Sequence, residues 1–272
     1  MYLNHSSVAG QLRTAYAIEL LPLILLLALP AMVQAQWLYT TNAGAITISG
    51  YTGPDVAIGI PSTINGLPVT TIGDGSTLQG LQNVTSVTIS NGITQIGMYA
   101  FYGCGDLKSI LIPTSVTNIG YEAFYGCTNL TSITIPGSPI TIYESAFAYC
   151  TSLTTVDFPA DAPIADCTVF SADTNATAYY LPGTTGWGST VGGIPAVQFV
   201  PPQLSLRITT NGCNVTFSTP TNHLYGLQTT TSLVGGVWST ILSNIPGTGF
   251  PTNYIDGAAQ VPQKFYRVYV PF

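Results

Sequence analysis

Two histidines occur among the 272 residues, and only His223 lies outside the N-terminal apolar stretch. A nucleophile of the Ser-His-Asp or Cys-His kind would have to be built on that imidazole. Its setting, Pro220-Thr221-Asn222-His223, is that of a turn, and no Gly-x-Ser-x-Gly elbow accompanies it. It reads as a solvated loop histidine. Asp157, Asp161 and Asp166 form the one acidic cluster. Their chemistry would be a carboxylate pair for glycoside hydrolysis or a calcium site, against the plainer reading that they solvate a terminal loop. Zinc needs several Cys or His at ligand spacing, and neither C-x-x-C nor H-x-x-x-H is present. The nearest glycine-rich string, Ile72-Gly73-Asp74-Gly75-Ser76, lacks the lysine of a phosphate loop. No catalytic residue, metal or cofactor is expected, and the chain reads as a non-enzyme.

Cysteine is the other reactive side chain, and its spacing points away from chemistry. Cys104, Cys127 and Cys150 recur at one constant interval, each at the end of a matching segment. Ile96-Gly97-Met98-Tyr99-Ala100-Phe101-Tyr102-Gly103-Cys104 returns as Ile119-Gly120-Tyr121-Glu122-Ala123-Phe124-Tyr125-Gly126-Cys127, and more loosely as Ile142 to Cys150. A fixed period of this length is the signature of a solenoid, one coil per repeat. Three cysteines in one coil position read as a buried apolar column. A bridge from Cys150 to Cys167 stays open as a second reading, and Cys213 is expected to be free.

The elements that position these columns follow from the rest of the repeat. Leu107-Lys108-Ser109-Ile110-Leu111-Ile112-Pro113 matches Leu130-Thr131-Ser132-Ile133-Thr134-Ile135-Pro136, with an earlier copy from Val84 and a later one from Leu153. The alternation Ile110/Ile112, Ile133/Ile135, Val156/Phe158 is that of a short strand with one buried face, ended by proline. Ile, Ala and Phe of the second segment fall at helical spacing, with Gly103 and Gly126 where a helical turn would end. Phe101, Phe124 and Phe147 should stack as an internal column.

The paired motifs L-x-x-I-x-I-P and I-G-x-x-A-F-x-G-C resemble the BspA-like leucine-rich repeat of secreted and surface proteins, over roughly residues 54–160. The fold class expected from this is a leucine-rich-repeat solenoid: short parallel strands with short helical or 3₁₀ turns in a 23-residue repeat, followed by a small all-β sandwich-like domain. No Ile-Gly-x-x-Ala-Phe follows Pro159, so the solenoid is expected to end there. The resemblance implies adhesion or protein binding and does not choose a ligand.

Residues 1–35 read as a secretory signal, with Arg13 before the Leu20–Leu29 run and Val33-Gln34-Ala35 at a cleavage site. The expected organisation is a signal peptide at 1–35, a solenoid with N-terminal cap at 36–165, a C-terminal cap and linker at 166–200, and an all-β domain at 201–272. In the cap, Trp187 is expected to cover the end of the phenylalanine column. The domain rests on short β-rich runs after Pro201-Pro202, from Leu204–Thr209 to Phe265–Val270. Five Lys and Arg against eleven Asp and Glu leave no basic stripe for phosphates, which excludes nucleic acid and an anionic membrane surface as partners. The expected location is extracellular or at the cell surface. The partner is a protein or glycan, bound on the outward strand positions Ser86, Thr88, Ser109, Leu111, Ser132, Thr134, Thr155 and Asp157. The alternative is a scaffold anchored by its C-terminal domain.

Overall fold

In the computed structural model, which describes residues 36–272 apart from 55, 74, 76–80, 138, 201, 210–211, 220–222, 233–235, 258–263 and 271–272, each coil contributes two strand segments. The leader assigned to residues 1–35 lies outside the described residues. Among the described residues no helix is long and apolar enough to cross a membrane.

The outward-facing ladder runs in parallel through Ala57–Ile60, Ser86–Ile89 and Ser109–Leu111, and again through Ser132–Thr134, Thr155–Phe158, Thr177–Tyr180 and Ile194–Gln198. Its register follows the repeat: Ser86 faces Ser109 and Ser132 faces Thr155, the partners in each pair one repeat apart. A second ladder joins Leu67–Ile72, Gln95–Ile96, Asn118–Ile119, Thr141–Ile142 and Ile164–Ala165. The hairpin Trp37–Asn42/Ala45–Tyr51 pairs onto its first strand. Its two-residue turn, Ala43-Gly44, has positive φ at both positions, which suits the twist of a tight hairpin.

Between the ladders lies the core. Phe101, Phe124 and Phe147 stack at 5.0 and 4.9 Å, as the repeat predicts, and Ala100, Ala123 and Ala146 are fully buried beside them. The stack does not stop there. Phe170, one repeat after Phe147, continues it at 5.3 Å, and two further parallel strands follow. The solenoid therefore runs on past Pro159. The fourth coil has lost the glycines of the motif but keeps apolar Val169 and Phe170 at its two core positions, and burial selects for those.

The Phe-Cys segment is a series of turns where a helical or 3₁₀ turn was expected. Alternate amides divide between two partners. Ala100, Tyr102 and Cys104 bond three residues back, to Gly97, Tyr99 and Phe101, while Tyr99, Phe101 and Gly103 donate to Tyr121, Ala123 and Tyr125 of the next coil. Tyr99 and Gly103 take positive φ to aim these groups, as do Glu122 and Gly126 one coil later. Inter-coil bonding displaces the helical pattern because a neighbouring coil supplies a carbonyl at every second residue.

The C-terminal module holds two three-stranded antiparallel sheets. One joins Leu204–Thr209, Gly212–Ser218 and Pro251–Asp256; the other joins Ser239–Pro246, Leu224–Thr230 and Phe265–Tyr269. Cys213, Val215, Phe217, Tyr225 and Leu227 form its core, to which Phe199 also belongs. The strand Pro251–Asp256 escapes sequence reading because its run, Pro-Thr-Asn-Tyr-Ile-Asp, opens on a proline and is mostly polar.

Candidate functional site

The strand face bears the residues proposed for recognition, and alternation decides which of them point outward. Val87, Ile110 and Ile133 are buried, so Ser86, Thr88, Ser109, Leu111, Ser132 and Thr134 flank them on the outer side, open or half-open. The Ser109 hydroxyl donates to Ser86 Oγ at 3.1 Å, which starts a row of hydroxyls across the coils. Leu111 stands out at 56 % exposure.

Thr155 and Asp157 break the row. All four residues of Thr155–Phe158 are buried: Val156 and Phe158 in the solenoid core, and Thr155 and Asp157 because the C-terminal module packs over this part of the face. They are therefore not open to a partner as expected from their alternation. His223, expected as a solvated loop residue, is buried too, and its Nε2 lies 2.9 Å from Asp157 Oδ1. The imidazole also meets Tyr179 edge-on at 4.6 Å and Phe199 at 5.0 Å. Tyr225 lies wholly buried nearby, and burial, followed by the proximity of Tyr179 and Asp157, pushes its phenol up to about 12. The seam leaves a cleft of about 340 Å³ lined by Ser132, Thr155, Asp157, His223, Leu224 and Pro246, among others.

A carboxylate on one imidazole nitrogen fixes ring and tautomer, and here it ties the module to the solenoid. Removing the imidazole would leave Asp157 buried without that partner. His223→Ala is accordingly expected to weaken the protein by about 2 kcal/mol and to raise proteolysis near Pro201–Pro202. Limited proteolysis and thermal denaturation read both effects, and an unchanged cleavage pattern would show that the pair does not hold the seam.

The other acids serve loop closure. Asp161 Oδ1 accepts from the Thr185 amide at 2.6 Å, and Asp166 Oδ1 accepts from the Thr168 amide at 2.7 Å and its hydroxyl at 2.5 Å. Among the described residues no group of three His, Cys, Asp or Glu is placed to hold a metal.

The cysteines are all free; Cys104, Cys127 and Cys150 are buried and Cys167 is exposed, so no Cys150–Cys167 bridge forms. Cys127 donates its thiol to the Phe101 carbonyl at 3.3 Å and Cys150 to that of Phe124 at 3.2 Å. Burial pushes the Cys104 thiol up to about 12, which removes it from nucleophilic chemistry near neutral pH. The next position of this column, one repeat after Cys150, is Asp173. Its carboxyl is buried and neither oxygen has a hydrogen-bond partner among the described residues. Burial pushes it up to about 7, and the amide of Cys150, outside hydrogen-bond geometry, lowers it only in part. The repeat register alone would have located this residue.

Trp187 does not cover the phenylalanine column. It stacks on Tyr180 at 4.5 Å, meets Phe158 at 5.3 Å and donates its indole N–H to Thr184. The column ends instead under Gly192, where an added Cβ would lie 2.6 Å from the Phe170 ring.

Residues 68–185, a little under half of the chain, match the family described as "BspA type Leucine rich repeat region", in six copies. No curated protein matches the chain. Among solved structures, a Treponema pallidum (T. pallidum) leucine-rich repeat protein is 20 % identical over 59 % of this chain and 89 % of its own, with a TM-score of 0.41. A leucine-rich repeat protein from Bacteroides capillosus is 26 % identical over 45 % of this chain and 94 % of its own, TM-score 0.40. A leucine rich cell surface protein from Faecalibacterium prausnitzii is 29 % identical over 54 % of this chain, which spans 43 % of that protein, TM-score 0.43. The coil geometry, the phenylalanine column and the six matched copies together make residues 68–185 a BspA-type leucine-rich repeat region.

Proposed function

We propose that the chain is a non-enzymatic interaction protein, secreted or held at the cell surface, that binds a partner protein or glycan on its outward strand face. The observation that supports this reading is the row of open side chains on successive coils: Ser86 and Thr88, Ser109 and Leu111, Ser132 and Thr134. A regular row of hydroxyls offers repeated hydrogen bonds to an extended ligand, and the C-terminal module walls one end of it. The signal-like residues 1–35 support an extracellular location.

The reading is tested by placing lysines in the middle of the row. A Ser109→Lys/Thr134→Lys variant is expected to lose at least tenfold in affinity, about 1.4 kcal/mol, for ligands that the wild-type protein retains on a glycan array or an extracellular-matrix protein panel. Equal binding by both proteins, or no binding by either, removes the strand face from recognition.

A second reading is a scaffold attached through the C-terminal module. Val237 and Phe250, exposed at 84 % and 73 %, favour it, because apolar side chains of this size on one module suit a surface that covers them. Cell fractionation separates the two: release into the medium supports the soluble binder, and retention that Val237→Ser/Phe250→Ser abolishes supports the anchor.

A further inference from the structure

The turn side of the solenoid carries a second surface, away from the strand face. Tyr102 and Tyr125 hold the same position in successive coils, and their rings stack 5.0 Å apart with planes at 5°. Tyr149 continues the stack, 5.0 Å from Tyr125 and tilted by 44°. Tyr99 joins from the side, edge-on to Tyr102 at 5.7 Å and to Tyr121 at 5.6 Å. Five rings thus form one continuous strip over three coils. Tyr102 and Tyr149 are exposed, Tyr149 at 49 %, and Tyr99, Tyr121 and Tyr125 are half-buried, unlike the buried phenylalanine column next to them in sequence.

Tyr149 holds its place against local preference. Gly103 and Gly126 occupy the left-handed position of their turns, with φ of 69° and 72°. In the third coil Ala148-Tyr149 replaces Tyr-Gly, so the tyrosine stands where glycine belongs, at φ 62°. A bulky side chain in this region is strained, and it places a ring at the end of the strip. The fourth coil has Ala172 in that position, so no fourth ring covers the far face of Tyr149, and Tyr125 is the one ring it meets among the described residues.

The strip is also one-signed in charge. The Glu122 carboxylate beside the Tyr121 hydroxyl, then desolvation and the other groups nearby, Glu144 among them, hold the phenol up to about 12. Neither glutamate has an ion-pair partner among the described residues. The four cations after residue 35, Lys108, Arg207, Lys264 and Arg267, all lie outside the turn segments 97–104, 120–127 and 143–150.

We infer that this tyrosine strip docks a cationic, arginine-bearing segment of a partner protein. A guanidinium is planar and weakly hydrated, so it can lie on the open face of Tyr149 while Glu122 and Glu144 accept charge-assisted hydrogen bonds from it or from its neighbours. Stacking hides the facing sides of Tyr102 and Tyr125, and the exposed ring of Tyr149, with the carboxylates of Glu122 and Glu144 on the neighbouring turns, favours a planar cation over a neutral pyranose. The inference concerns a different face from the strand row and stands or falls separately.

Fluorescence anisotropy of a labelled oligo-arginine peptide on the protein tests it. The peptide is expected to bind at least about threefold more tightly than an oligo-lysine of equal length, and to weaken as salt rises. Tyr149→Gly, which restores the glycine of the first two coils and so keeps the turn, is expected to weaken binding about tenfold, as is the Glu122→Gln/Glu144→Gln pair. Circular dichroism checks that each variant is folded. Ser109→Lys/Thr134→Lys on the strand face should leave no loss of peptide affinity. Absence of peptide binding, equal affinity for arginine and lysine, full affinity in Tyr149→Gly, or equally tight binding of a neutral oligosaccharide would each overturn the inference.

Discussion

Phe124→Ala is expected to destabilise the protein by about 4 kcal/mol, the largest loss available from a single side chain of the solenoid. The ring has no solvent exposure and lies between Phe101 and Phe147 at 5.0 and 4.9 Å. Its neighbours cannot close the gap. The amides of Phe101 and Phe124 are tied to the carbonyls of Ala123 and Ala146 at 2.7 Å, so the coils are held at their present separation and the deleted ring leaves a cavity. In a solenoid each coil is supported only by its neighbours, so a defect at the centre uncouples two halves. A fall in Tm of roughly 12 °C is expected, with a broadened transition. Tyr125→Ala, one residue away on the half-exposed strip, should cost less than about 1 kcal/mol and serves as the comparison. Scanning calorimetry of both variants decides the matter: a loss at Phe124 as small as that at Tyr125 would mean that the column is not the spine of the fold.

The second large effect is a dependence of stability on pH that comes from Asp173. Its carboxyl is raised to about 7 in the folded chain, against an ordinary value of 3.8. The folded state therefore holds this proton more tightly than the unfolded state does. By linkage its contribution is fully present below pH 4, falls as pH rises from 4 to 7, and stays lost above. The amount is on the order of 3 kcal/mol. Asp173→Asn removes the titration and supplies an amide that can donate to the Phe147 carbonyl, as the thiols of Cys127 and Cys150 do to Phe101 and Phe124. The variant should match the wild type near pH 4 and exceed it at pH 8, and Asp173→Cys should behave alike. Chemical denaturation at the two pH values measures the difference; a wild type as stable at pH 8 as the asparagine variant would show that Asp173 carries its charge in the folded protein without penalty.

Periodicity made much of this architecture legible before any coordinate was known. When a segment recurs at a fixed period, equal place in the repeat becomes equal position in successive coils. That is why Phe101, Phe124 and Phe147 could be placed in one column and Cys104, Cys127 and Cys150 in another. The same register extends to Phe170 and Asp173, but the fourth coil keeps only apolar volume and drops the glycines, so its motif is weak while its packing is not. The turn conformation was less legible. Spacing of Ile, Ala and Phe suits a helix, and only the carbonyls of the adjacent coil divert alternate amides into inter-coil bonds.

By itself, then, the sequence determined the repeat unit, its inward columns and its strand alternation, because these depend on relations that repeat. What the tertiary structure alone decided concerns parts that do not repeat. Asp157 and His223 are 66 residues apart and meet because the C-terminal module packs over the last part of the strand face, burying Thr155 and Asp157, which alternation alone leaves outward. The open face of Tyr149 likewise depends on what the next coil places above it. No local period encodes such contacts; they follow from the docking of two differently built surfaces, and only the folded chain sets that geometry.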